Sequence, residues 1–91
     1  MELKYFLKAA SKRERAEVAT VCNDSVSYLY QIAGKHRYAS ALMAARIEAQ
    51  TRAVSVGTDG RLATVPRETL VRYPEIFERD EPYLMVAEER P

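Results

Sequence analysis

The stretch RAEVATVCNDSVSYLYQIAGKHR, Arg15 to Arg37, decides how this chain folds. It has the form of a helix, a tight turn and a second helix with basic residues at both ends, the layout of a helix-turn-helix that reads DNA. The first helix carries Val18 and Ala19, and Ala19 is small enough to sit where two helices cross steeply. The turn is Cys22-Asn23-Asp24-Ser25. One turn residue must take a left-handed backbone, and Asn23 tolerates that best after glycine. Ser25 is expected to cap the second helix by accepting a hydrogen bond from a free N–H. Within Ser25–Gly34, Leu29, Ile32 and Ala33 share an inward face. Val26, Ser27, Tyr30 and Gln31 lie opposite. That outer face holds a methyl-bearing residue able to touch thymine and an amide able to pair with adenine. Gly34 is expected to end the helix and admit a close phosphate. Lys35, His36 and Arg37 follow where a sugar-phosphate strand would pass. Small helical domains often contain such helix pairs without binding anything, so the outer face fits an ordinary surface or a protein contact as well.

The flanks extend the helical pattern. Leu3, Phe6, Leu7 and Ala10 repeat at helical spacing over residues 2–9, with Tyr5 at the edge. Ser11-Lys12-Arg13-Glu14 matches a capping box, so a second helix starts just after Ser11. Lys12, Arg13 and Arg15 then stand in its first turn, where positive charge opposes the helix dipole and a phosphate would relieve it. A fourth helix is expected from about Ser40 to Gln50, with Met43, Ala44 and Ile47 inward.

After Thr51 the pattern changes. Ala53-Val54-Ser55-Val56, Gly57-Thr58-Asp59-Gly60 and Arg61-Leu62-Ala63-Thr64-Val65 together predict a β-hairpin. Pro66 opens a short helix, and Pro74 stops it. Glu75 to Glu81 is acidic, and Tyr83-Leu84-Met85-Val86-Ala87 is an apolar run. A lone hairpin is barely stable, so it needs another strand or a partner. Val54, Val56, Leu62, Val65, Tyr83, Leu84 and Val86 are therefore the expected oligomerisation residues; the alternative is an ordered local cap on the helical core followed by a loose tail. The division is a DNA-binding unit over 1–52 and an oligomerising appendage over 53–91. The fold class is mainly α with a small β appendage.

Composition narrows the function. Apolar residues make up 47% of the 91-residue chain, which is enough for one small folded domain. There is no 18-residue apolar run and no signal-peptide core, so a cytoplasmic protein without a membrane span is expected. One cysteine, Cys22, excludes an internal disulfide and fits a small core position. The single histidine, His36, leaves no catalytic pair. The carboxylates Glu14 and Glu17 come with no metal spacing, nucleophile elbow or nucleotide loop, so neither an enzyme nor a cofactor is expected. The net charge of +1 conceals a split. Residues 1–52 hold nine Lys/Arg against five Asp/Glu, net +4, while residues 53–91 hold five against eight, net −3. Affinity for nucleic acid follows the local patch, and the acidic half is expected to face away from DNA.

The pieces LKYFLK, SKRERAEVA, C-N-D-S-V-S-Y-L-Y-Q-I-A-G, HR and AARIEAQT, between Leu3 and Thr51, resemble the Cro-type phage repressors. More narrowly they resemble the YdaS-like prophage regulators, also described as YdaS antitoxins. The resemblance implies a lambda-repressor-like bundle of about four helices. It implies base contacts from Val26, Ser27, Tyr30 and Gln31. The residues expected against the DNA backbone are Lys12, Arg13, Arg15, Ser25, Tyr28, Lys35, His36 and Arg37. Asn23-Asp24 departs from the common glycine and apolar residue of the turn. Ser40-Ala41-Leu42 lacks the Pro-Glu that often follows the capping serine. The implied partner is operator DNA, read as an inverted repeat by a homodimer that represses by blocking polymerase. The resemblance also allows a second class, an antitoxin or adaptor whose C-terminal half binds a protein such as a toxin.

Overall fold

A computed structural model of the chain describes residues 1–78. Among these residues there are four α-helices and two 3-10 turns, and no strand. The helices are α1 (Leu3–Ala9), α2 (Lys12–Thr20), α3 (Val26–Ala33) and α4 (Ala41–Ser55); the 3-10 turns are Arg67–Thr69 and Pro74–Phe77. Helix α3 packs on α1 and α2, and α4 packs on α2 and on the first 3-10 turn.

The expected periodicities become the core. Leu3, Phe6 and Leu7 are buried from α1, Val18 and Ala19 from α2, Leu29 and Ile32 from α3, and Ala44 and Ile47 from α4. The capping box of α2 is complete. The Glu14 N–H donates to Ser11 Oγ (3.1 Å), and the Ser11 N–H donates to Glu14 Oε1 (2.7 Å). Asn23 takes the left-handed backbone (φ 53°) that the turn requires. At α4, Ser40 Oγ accepts from the Met43 N–H (3.1 Å), so the helix starts at the capping serine without the Pro-Glu of the resembled family.

The β-hairpin does not form. Residues 53–55 are the last turn of α4 and Val56 is its C-cap. Thr51 and Val54 continue the stripe of Ala44 and Ile47 at helical spacing, and that stripe outweighs the local Ala-Val-Ser-Val alternation. Thr51 is fully buried and anchors the segment after α4. Its hydroxyl donates to the Glu48 carbonyl (3.0 Å) and accepts the Val65 N–H (3.0 Å). The Val65 N–H therefore meets a helix side chain where a hairpin would offer it a strand carbonyl. The Gly57–Gly60 turn is where the sequence puts it, with positive φ at Gly57 (83°), Asp59 (55°) and Gly60 (85°), but it joins a helix to an irregular segment. Pro66 opens the first 3-10 turn as its N-cap.

The hydrophobic core is continuous past residue 52, because Leu62, Val65, Leu70 and Val71 are buried in the same cluster as the helices. Arg61 ties this segment to the α1–α2 corner. It bonds both carboxylate oxygens of Glu14 (3.0 and 2.7 Å) and the Ala9 carbonyl (3.0 Å). Glu48 pairs with both Arg52 and Arg67. Among the described residues, every buried side-chain nitrogen or oxygen has a hydrogen-bond partner.

Two stability experiments probe these contacts. Thr51→Val keeps the shape but strands the buried Val65 N–H, so urea denaturation should register a loss of about 1–3 kcal/mol. Thr51→Ser should retain most of the stability; an unchanged midpoint for the valine variant would mean that the bond does not hold the segment. The second concerns Glu14, whose carboxyl is lowered from 4.5 to about 2, first by Arg61 and then by the Ser11 N–H. The folded state thus favours the carboxylate. Its contribution is complete above about pH 4.5 and is lost as pH falls towards 2. Melting temperatures of Glu14→Gln should therefore fall less steeply across that window than those of the parent.

Candidate nucleic-acid interface

Helix α3 presents its inner face to the core and its outer face to solvent. Ser27 and Tyr30 are exposed, Tyr30 by half of its surface, and Gln31 is half-buried. Val26 is also half-buried and packs against the core, so it offers less outward surface than its position on the helical wheel suggests. Ser25 stands at the N-cap position, but its hydroxyl makes no capping bond. The Asp24 carboxylate accepts the Ser25 backbone N–H (2.7 Å).

The C-terminal end of α3 is closed by the loop that leads to α4. The His36 and Arg37 N–H groups both donate to the Gln31 carbonyl (2.9 and 3.3 Å), a closure common where a helix ends in a left-handed residue. That residue is Lys35 (φ 65°), and Gly34 keeps a negative φ (−88°). Gly34 ends α3 as its C-cap, as expected, and its lack of a side chain also bears on the loop. A Cβ there would come within 2.9 Å of His36 Cδ2, so the glycine makes room for the imidazole.

Arg37 organises the site. Its guanidinium lies 4.8 Å from the centre of the Tyr28 ring, and its Nη1 reaches Gln31 Oε1 at 3.4 Å. Arginine only donates, so the Gln31 amide must turn its oxygen towards Arg37 and its NH2 away. Burial pushes the half-buried Tyr28 phenol above its ordinary pKa, with Arg37 opposing. Lys35 Nζ donates to the Thr69 carbonyl (3.3 Å). Among the described residues neither Lys35 nor Arg37 pairs with a carboxylate, and the same holds for Lys4, Lys8, Lys12, Arg46 and Arg72.

The basic turn at the start of α2 divides into three roles. Lys12 is exposed and, among the described residues, pairs with no carboxylate. Arg13 pairs with Glu17 (3.3 Å). Arg15 turns inward, and its Nη1 donates to the Leu7 and Ala10 carbonyls (3.1 and 2.6 Å). The strain that the α2 dipole places on Arg15 is thus answered within the protein by the carbonyl end of α1, and no phosphate is required for it.

The expected oligomerisation residues separate likewise. Leu62 and Val65 are buried in the chain's own core, Val54 is half-buried, and Val56 is 78% exposed. Tyr83, Leu84, Val86 and the part of the acidic stretch beyond Glu78 lie outside the described residues. Among the described residues no helix is long and apolar enough to cross a membrane. Nor do any three His, Cys, Asp or Glu side chains gather there as a metal site.

Sequence reasoning did not identify Tyr38, Arg72 and Tyr73, which the fold brings together. The Arg72 guanidinium lies 5.8 Å from the Tyr38 ring centre and 5.9 Å from that of Tyr73. Arg72-Tyr73 is a visible basic–aromatic pair, but its link to Tyr38 depends on the bond from the Ala39 N–H to the Leu70 carbonyl (2.9 Å). Comparison with protein-family models, curated proteins and solved structures finds no match to this chain.

Cys22 is buried in the core. Its thiol is raised from 9.0 to about 11, by burial first and by Asp24 second. Two pH units correspond to ~100-fold less thiolate at a given pH. Thiol titration near neutral pH should therefore be slow on the native protein and rapid in denaturant. Fast native labelling would place Cys22 at the surface.

Proposed function

We propose that the chain is a sequence-specific DNA-binding regulator of the helix-turn-helix type, with a lambda-repressor-like arrangement of its four helices and α3 as the recognition helix. The observation that carries this reading is the pairing of a polar outer face on α3 with the loop between α3 and α4. Ser27, Tyr30 and Gln31 supply donors, an acceptor and a ring. Lys35 and Arg37 supply charge that no described carboxylate neutralises. Base edges are read by such side chains, and phosphates are held by such cations.

The residues then take separate roles. Gln31 reads a base, and its amide, with one donor and one acceptor edge, matches adenine. Ser27 and Tyr30 reach neighbouring bases or phosphates. Lys12, Lys35, His36 and Arg37 follow the sugar-phosphate strand, and the Ser25 hydroxyl, which makes no capping bond, stands beside the free N–H groups of α3. Arg15 acts mainly within the protein. A homodimer would place two copies of α3 about one DNA turn apart on an inverted repeat. With Leu62 and Val65 buried, its contact would run through Val56 and the end of α4. Occupancy of a promoter by such a dimer would block polymerase.

Fluorescence anisotropy on duplexes from the DNA flanking the gene, against a scrambled duplex of equal length and at two salt concentrations, tests the reading. Tight binding to one flanking segment, lost on scrambling, is the expected outcome. Weak binding to both that vanishes with salt would reduce the surface to a nonspecific basic patch. On the selected site, Gln31→Ala should lose about 1–3 kcal/mol, with little change on the scrambled duplex. Equal losses on both would remove Gln31 as the base reader.

A further inference from the structure

Arg72 has no role in base reading by α3, yet the fold places it beside the α3–α4 loop. It is exposed, and among the described residues it pairs with no carboxylate. Its guanidinium stands near two rings that are themselves 43% (Tyr38) and 59% (Tyr73) exposed. Core packing does not explain rings that stay this open. Stacking of this kind restrains a long side chain without using its N–H donors. Two bonds fix the cluster against the α3–α4 loop: the Ala39 N–H to the Leu70 carbonyl, and Lys35 Nζ to the Thr69 carbonyl. Lys35, Arg37, Tyr38 and Arg72 therefore belong to one neighbourhood, although they come from separate parts of the sequence. Carboxylates on the neighbouring elements are Glu2, which borders the hollow lined by Lys4, Lys35 and Thr69, Glu68 in the first 3-10 turn, and Glu75, two positions beyond Tyr73; none of the three pairs with Arg72 among the described residues.

We propose that Arg72, presented between Tyr38 and Tyr73, is an additional anchor for the phosphate backbone of duplex DNA, continuous with the contacts of the α3–α4 loop. A guanidinium fork matches two phosphate oxygens, and tyrosine hydroxyls can donate to the same strand. The segment after α4, assigned from its net charge to the side away from DNA, then contributes a cation to the interface. The inference rests on the DNA-binding reading and extends its footprint beyond the four helices.

The test is a salt titration of binding to fluorescein-labelled duplexes of about two helical turns, the flanking segment and its scramble, with the full chain and its Arg72→Ala and Arg72→Lys variants. One lost phosphate contact makes the negative slope of log K against log salt shallower by about 0.9, so over a fourfold rise in salt the alanine variant should lose about 3.5-fold less affinity than the parent. Its binding at the lowest salt should be weaker on every sequence alike, and its thermal melt should be unchanged. Arg72→Lys should keep the parent slope. A parent that binds, together with an alanine variant of equal affinity and slope, would overturn the Arg72 assignment and leave the α3 reading standing. A parent that binds no duplex at low salt would overturn both.

Discussion

One buried hydroxyl fixes the geometry on which the candidate site depends. Thr51 sits at zero exposure in α4 and takes the Val65 N–H. An unpaired N–H in that position would be costly, so the segment after α4 is registered against the helix at one residue. From there the consequences run outward. Val65 in register sets the first 3-10 turn against α4, the Leu70 carbonyl meets the Ala39 N–H, and the Thr69 carbonyl meets Lys35 Nζ. The loop carrying Lys35, His36 and Arg37 is thus supported from below by a segment that the sequence alone would set apart as a separate appendage.

The distribution of charge follows a similar division. Arg13, Arg52, Arg61 and Arg67 are paired with Glu17, Glu48, Glu14 and Glu48. Glu48 joins α4 to the first 3-10 turn, and Glu14 joins the start of α2 to the segment after α4. These pairs are partly screened and individually weak, and each takes up a cation along with its carboxylate. The net charge of +1 averages +4 over residues 1–52 with −3 over residues 53–91, so it understates the charge near the α3–α4 loop. The field that a polyanion meets is set by the unpaired groups near it.

Much of the helical part was legible in the sequence because its determinants are local. The Ser11–Glu14 capping box, the left-handed Asn23 and the inward faces of α1 and α3 each depend on residues within a turn or two of one another. The hairpin failed for the opposite reason. Four residues of Ala-Val-Ser-Val alternation beside a Gly-Thr-Asp-Gly turn look the same at a strand end as at a helix end. What decides between them is Thr51 meeting Val65 across the turn, and no local window contains that pair. The candidate site divides along the same line. The outward positions of Ser27, Tyr30 and Gln31 follow from helical spacing. The inward turn of Arg15 onto the α1 carbonyls, the room that Gly34 leaves for His36 and the Tyr38–Arg72 neighbourhood are tertiary facts.

Arg37 and Gln31 illustrate how such tertiary facts alter chemistry. In the free protein Arg37 stacks on Tyr28 and holds the Gln31 oxygen through a long bond of 3.4 Å. An exposed cation–π contact contributes about 0.5–1 kcal/mol, and a stretched bond to a neutral amide adds little. A phosphate offers two charged oxygens to the same fork, and hydrogen bonds to charged groups contribute about 1.5–3 kcal/mol. In the proposed complex the phosphate therefore wins the guanidinium. Gln31 Oε1 has two lone pairs and can accept from adenine with or without Arg37 beside it. What the bond from Arg37 sets is orientation: while it holds, the amide oxygen faces the guanidinium. Once the guanidinium turns to a phosphate the amide is free to rotate onto the base, so backbone contact and base reading are coupled through the facing of one side chain.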